Sequence, residues 1–165
     1  MNIYLIRHTS VDVPAGYAYG QTDVALRPSF EEEAEKVKES LAGLSFNKVW
    51  RSPLTRCLRF ASYCGYPDAI REDRVKELNF GEWEMKSWEE LSSDPRSEAW
   101  FADWIDTRTP EGESLKDQYV RVSSFLDEIR ESGLENVCIF AHGGVLTCAR
   151  VYAGEYDIKE AFKNI

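Results

Sequence analysis

Residues 2–9 read NIYLIRHT, an apolar run that behaves as a buried strand and then stops on an arginine and a histidine side by side. The chain has only two histidines. The second, His142, lies in VCIFAHGGV at 137–145, again where an apolar run gives way to small residues. Two strands ending on chemically active side chains raise the expectation that the two ends meet.

Working outward, residues 9–28 form a loop dense in Pro, Gly, Thr and Asp that carries GYAYGQTD at 16–23. Ser29 followed by Glu32 makes a capping-box pattern, and the stretch to Gly43 runs as an amphipathic helix. FNKVW at 46–50 reads as a second strand, and Pro53 fits the first turn of a helix behind it. Residues 69–80 suggest a short strand and then a loop. Ser114 caps a helix reaching about Ser132, NVCIFA at 136–141 is a strand, and helices follow at 143–154 and 157–165. Strands alternating with helices predict an α/β domain, three-layered, with a mostly parallel central sheet flanked by helices on both faces. The whole of 1–165 reads as one domain. A segment at about 82–113, holding four of the five tryptophans, is set apart as short helices and loops, and its tryptophans read as packing.

Bulk composition narrows the function. A net charge of −9 opposes nucleic-acid binding, so any anion site must be built from particular arginines. No apolar run approaches the roughly 20 residues that cross a bilayer, and no secretory leader pattern opens the chain, so a soluble cytoplasmic protein is expected. The four cysteines form no Cys-x-x-Cys pair and read as buried small hydrophobes.

In open parallel sheets, ligands bind beyond the carboxyl ends of the strands. Arg7–His8, the helix carrying Arg56, and His142 all follow strands and so point at one edge. Two guanidinium forks match the oxygens of a phosphate monoester, whose charge near neutral pH is about −1.5 to −2. A histidine nitrogen becomes a nucleophile when its other ring nitrogen is held.

LIRHT (5–9), SPLTR (52–56), KELNFGEWE (76–84) and FAHGG (140–144), in this order, resemble the histidine phosphatase superfamily, the phosphoglycerate mutase-like family. The resemblance implies that the nucleophile is His8, with Arg7, Arg56 and His142 holding the phosphoryl group. It places Glu77, four residues before Gly81, as the proton donor, with Glu82 next in line. Thr9, Gln21, Thr22 and Gly143 are the expected substrate-binding residues. The resemblance implies a small phosphorylated substrate, with no metal and no other cofactor. Thr9 stands where the family usually has Gly, Pro14 near where an Asn usually reaches the phosphate, and AHGG replaces the commoner SHGG. Relatives usually run to a further strand beyond the point where this chain ends. Within the family, GQTDVAL (20–26), FGEWEM (80–85) and AWFADW (99–104) before PEGES resemble the α-ribazole phosphatases. Hydrolysis of α-ribazole 5′-phosphate is therefore the expected reaction, with a broad-specificity or sugar-phosphate/phosphoglycerate phosphatase of the same family as the alternative. A phosphate-binding protein without turnover is the reading from another class; intact His8, Arg56, Glu77 and His142 argue against it.

Overall fold

A computed structural model describes residues 1–164. Four strands, β1 (Asn2–Arg7), β2 (Lys48–Arg51), β3 (Ile70–Arg71) and β4 (Asn136–Ala141), form one sheet in the order β1-β4-β2-β3, every pair parallel. Helices α1 (Phe30–Leu41) and α2 (Thr55–Tyr63) connect the first strands, while α5 (Leu115–Glu131) precedes β4 and α6 (Gly143–Tyr152) follows it.

Strand alternation builds the two cores. Ile3, Leu5, Val137 and Ile139 join Val122, Phe125, Ile129 of α5 and Val145, Cys148 of α6 on one face. Tyr4, Ile6, Cys138 and Phe140 join Phe30, Ala34 of α1 and Phe60, Ala61 of α2 on the other. Side chains of successive residues point to opposite faces, so each strand feeds both layers and the expected three-layer α/β architecture results. β4 lies between β1 and β2 and is covered on both faces, which is why it reads as an uninterrupted apolar run.

Between β3 and α5 the chain makes short 3₁₀ turns and two short helices, α3 (Trp88–Leu91) and α4 (Ser97–Ala102). Trp83, Leu91, Trp100 and Ala18 form a small core of their own, with Phe80, Trp88 and Trp104 packed against it. The last described segment, Ile158–Asn164, is 3₁₀ and packs on α6.

Two local expectations are corrected. Ser29 takes the N-cap position of α1, but its hydroxyl accepts no backbone N–H there; it donates to the Glu33 carboxylate at 2.7 Å, and no box forms with Glu32. The backbone of Ser10 also donates to Glu33, at 3.1 Å, so a tertiary partner selects the acid one position later. Pro53 lies ahead of α2, whose N-cap is Leu54 in extended conformation. All four cysteines are free and buried. Burial pushes the Cys57, Cys138 and Cys148 thiols up to about 12. Among the described residues no helix is long and apolar enough to cross a membrane.

Candidate active site

Register decides where the histidines go. Arg7 pairs with Ala141 across β1 and β4, so His8 and His142 are the next residues on adjacent parallel strands. The ladder runs one step further, with the His8 N–H donating to the Ala141 carbonyl at 3.2 Å. The two imidazole rings sit 5.2 Å apart, edge to face. On the far side of β4 the Ser52 N–H donates to the Phe140 carbonyl at 2.9 Å, which brings Ser52 beside His142.

The two rings are held in different ways. His8 Nδ1 lies 2.7 Å from the Thr9 carbonyl, which can only accept, so Nδ1 carries the proton and Nε2 keeps its lone pair. Burial, reinforced by the charges of Arg56 and Arg7, outweighs the Thr9 carbonyl and Glu77 and lowers the His8 pKa to about 4. His142 is fully buried, and its Nε2 lies 2.8 Å from the Ser52 hydroxyl and 3.6 Å from Cys57 Sγ. Its Nδ1 is buried without a partner. A hydroxyl donating to Nε2 leaves the proton on Nδ1, where an anionic oxygen would satisfy it. Burial first, then the Arg56 and His8 charges, keep His142 well below the ordinary histidine range and hence neutral.

One measurable consequence concerns His8. In an NMR titration of the ring resonances, its midpoint is expected near 4, against about 6.5 for an unfolded chain. A folded-state pKa below the unfolded value means that protons favour unfolding. This contribution to stability is therefore intact above about 6.5 and is lost as the pH falls towards 4. A midpoint near 6.5 would place His8 in an open environment instead.

The two arginines also differ. Arg56, on α2, is completely buried. Its Nη1 donates to the Thr22 carbonyl at 2.8 Å and its Nη2 to the Gly20 carbonyl, while Nε has no partner. Arg7 is exposed and packs on the start of α6, where a Cβ on Gly143 would lie 3.3 Å from its Cζ. Among the described residues neither has a carboxylate within ion-pair distance. Arg7 is also the shared wall of two cavities. One, of about 490 Å³, is polar and includes His8, Thr9, Tyr17, Tyr19 and Arg27. The other, of about 230 Å³, is lined by Tyr19, Phe80, Trp100, Trp104 and Phe162, together with Glu77 and Gly143.

Glu77 lies at the aromatic cavity. Its Oε1 accepts from the Leu78 N–H at 2.9 Å and from Gln118 Nε2 at 3.0 Å, and its Oε2 accepts from the Gly144 N–H at 3.1 Å. A Cβ on Gly144 would come within 2.2 Å of Oε1, so only glycine permits this approach. The neighbouring acids are committed elsewhere. Glu82 pairs with Arg96 at 2.9 Å on the surface. Glu84 accepts from Gly20 N, Thr22 N, the Thr22 hydroxyl and Phe80 N, clamping the loop.

The remaining expected residues fall into two groups. Thr9 is buried with its hydroxyl unpartnered. Gln21 and Thr22 have side chains occupied by protein: Gln21 donates to the Glu77 carbonyl at 3.1 Å, and the Thr22 hydroxyl to Glu84 at 2.7 Å. Sequence reasoning passed over Arg121, which braces the backbone of Glu77. Its Nη2 donates to the Glu77 carbonyl at 2.9 Å and its Nη1 to those of Arg74 and Lys76. It was also silent on Ser52 and Gln118. Gln118 did leave a signal, as a lone amide in the Leu115, Val122, Phe125, Ile129 stripe of α5.

Residues 3–164 match the model of the histidine phosphatase superfamily, branch 1. The chain belongs to that superfamily. An Escherichia coli relative named as the probable phosphoglycerate mutase GpmB is 30% identical over 90% of this chain and 72% of its own length. A Hydrogenobacter thermophilus relative named for phosphoserine phosphatase is 28% identical over 87% of this chain and 74% of its own. The crystal structure of the α-ribazole phosphatase from Shigella flexneri superposes with a TM-score of 0.89 at 24% identity, over 99% of this chain and 84% of that one. That last likeness is one of fold, and the phosphoglycerate mutase-like architecture follows from it. This histidine phosphatase is accordingly an enzyme of the phosphatase and mutase kind.

Proposed function

We propose that this chain is a phosphomonoesterase that works through a phosphohistidine on His8, without a metal, and that its substrate is α-ribazole 5′-phosphate. The observation that carries the substrate is the aromatic cavity lined by Glu77 and Arg7; a proton donor at Glu77 would put the leaving alcohol there. Trp100 adds a buried indole N–H without an acceptor, which a heterocyclic ring nitrogen or a sugar oxygen would satisfy. The sequence likeness of GQTDVAL, FGEWEM and AWFADW to α-ribazole phosphatases points the same way.

In the proposed reaction, His8 Nε2 attacks phosphorus in line, and an N–P bond forms as the P–O bond to the leaving group breaks. Arg7, Arg56 and His142 hold the equatorial oxygens, and the Thr9 hydroxyl and the backbone at Gly143 supply further donors. Gln21 and Thr22 bear on the substrate through Glu77 and Arg56, which they hold. Glu77 gives its proton to the leaving oxygen, then as carboxylate takes one from the water that attacks the phosphohistidine. Preorganised charge around the phosphoryl group supplies most of the rate. The segment at about 82–113 serves as the cap that carries Trp100 and Trp104 over this site, within the one domain.

Arg27, in the polar cavity, favours a second reading. Its guanidinium could receive the carboxylate of a phosphorylated acid such as a phosphoglycerate or phosphoserine, the kinds of compound for which the two sequence relatives are named. The test is phosphate release, with EDTA present, from α-ribazole 5′-phosphate, 3-phosphoglycerate, phosphoserine and p-nitrophenyl phosphate. A preference of at least about tenfold in kcat/KM for the ribazole is expected, which ~1.4 kcal/mol of ring burial and stacking provides. Preference for either acid would transfer the assignment to the second reading.

A further inference from the structure

Glu77 has two oxygens in unequal surroundings. Oε1 accepts two N–H donors, from Leu78 and from the Gln118 amide, whereas Oε2 accepts only the Gly144 N–H. A carboxyl oxygen has two lone pairs in the plane, so Oε1 is filled and Oε2 has one site left. Gln118 is the member of this arrangement that comes from a side chain. It is almost completely buried on α5, in a position whose helical neighbours Leu115, Val122 and Phe125 are all apolar. A buried amide at an apolar position is retained against a desolvation penalty, and its donor reaches Glu77 at 3.0 Å and the Lys76 carbonyl at 3.4 Å. Leu115 and Gln118 both line the aromatic cavity with Glu77, so this contact lies at the wall of the site.

We infer that Gln118 is a positioning residue that reserves Glu77 Oε2 as the oxygen carrying the catalytic proton. With Oε1 occupied, the acid form of Glu77 places its hydrogen on Oε2 alone. As the P–O bond breaks and the N–P bond to His8 forms, that hydrogen moves to the leaving oxygen and the O–H electron pair stays on Oε2. The amide donor suits both states of Glu77, since Oε1 accepts equally well in the acid, where it is the carbonyl oxygen, and in the carboxylate. A cation in its place would hold Glu77 ionised. Without Gln118, Oε1 regains a free lone pair, the proton divides between two oxygens, and the carboxyl group can turn away from the leaving group. The inference rests on the proposed role of Glu77 as proton donor.

The test compares Gln118→Met, close in volume and without a donor, with Glu77→Gln and the double variant, on an alkyl phosphate and on p-nitrophenyl phosphate. Gln118→Met is expected to lower kcat on the alkyl ester by about tenfold, with KM and the p-nitrophenyl rate nearly unchanged, because p-nitrophenolate leaves without a proton. In the Glu77→Gln background the same change should have no further effect, since a residue acting through Glu77 is silent once the acid is gone. Equal losses on both esters, or losses that multiply in the double variant, would show that Gln118 only packs. If Glu77→Gln itself fails to separate the two esters, the assignment of Glu77 falls, and this inference with it. If Glu77→Gln separates them and Gln118→Met does not, only the inference falls.

Discussion

His8→Ala removes turnover: phosphate release should fall by at least about 10⁴-fold on every substrate, as loss of a covalent nucleophile does. The same variant should yield no acid-labile phosphoryl adduct in a rapid-quench experiment, where the parent enzyme gives one. Geometry singles out this histidine over its neighbour. The Thr9 carbonyl occupies His8 Nδ1 and leaves Nε2 with a lone pair, on a ring that is only part-buried. His142 presents no equivalent atom, because its Nε2 already meets the Ser52 hydroxyl and Cys57 within a fully buried site. His142→Ala should therefore slow the reaction by roughly 10²–10³-fold, the worth of one preorganised donor, while still forming the adduct. An adduct in His8→Ala, mapped to His142, would reverse the two roles. Because His8 lies at the end of an edge strand, its removal should leave the melting transition nearly unmoved, which separates a lost nucleophile from a lost fold.

Arg56→Met has the second largest expected effect. Arg56 is a completely buried guanidinium whose partners are two carbonyl dipoles and whose Nε has none. A buried charge without a counter-ion costs several kcal/mol, and a phosphoryl group provides the charge that offsets it. The variant should lose on the order of 10³-fold in kcat/KM, comparable with the removal of an oxyanion donor. Binding of inorganic phosphate provides an independent readout. At about 100 times its Kd, phosphate should stabilise the parent fold by ~2.7 kcal/mol, and Arg56→Met at the same concentration should show almost none of that shift. Arg56→Lys should recover only part of it, since an ammonium restores charge but not the planar fork that reaches two carbonyls and an oxyanion together. A loss below tenfold, with the phosphate shift intact, would move the clamp to Arg7 alone.

Much of the architecture was legible from period and punctuation. NIYLI and NVCIFA stand out as strands because burial on both faces demands unbroken apolar runs, and each reappears within one residue of its expected end. Ser114 was legible as a cap because capping is local, and the structure adds a reciprocal box with Asp117. The pattern at Ser29 failed for the opposite reason: two acids stood within reach, and the choice of Glu33 depended on Ser10, 23 residues away. By sequence the tryptophans of 82–113 read as packing. Trp83 does that with its indole bonded to Asp94, whereas Trp100 and Trp104 also line a cavity. Composition cannot separate these cases, since both bury an aromatic ring.

The sequence by itself determined the alternation of strands and helices, and it set a histidine at the end of each of two apolar strands. Side-chain spacing along one strand or one helix is local, so a linear pattern carries it fully. Tertiary structure alone decided that Arg7 pairs with Ala141, which is what sets two rings 134 positions apart side by side. It also decided among three acids within eight residues, through donors and cations delivered from elsewhere: Arg96 to Glu82, Gly20 and Thr22 to Glu84, Gly144 and Gln118 to Glu77. A carboxylate is defined by what surrounds its oxygens, and here those groups come from segments that only the folded sheet brings together.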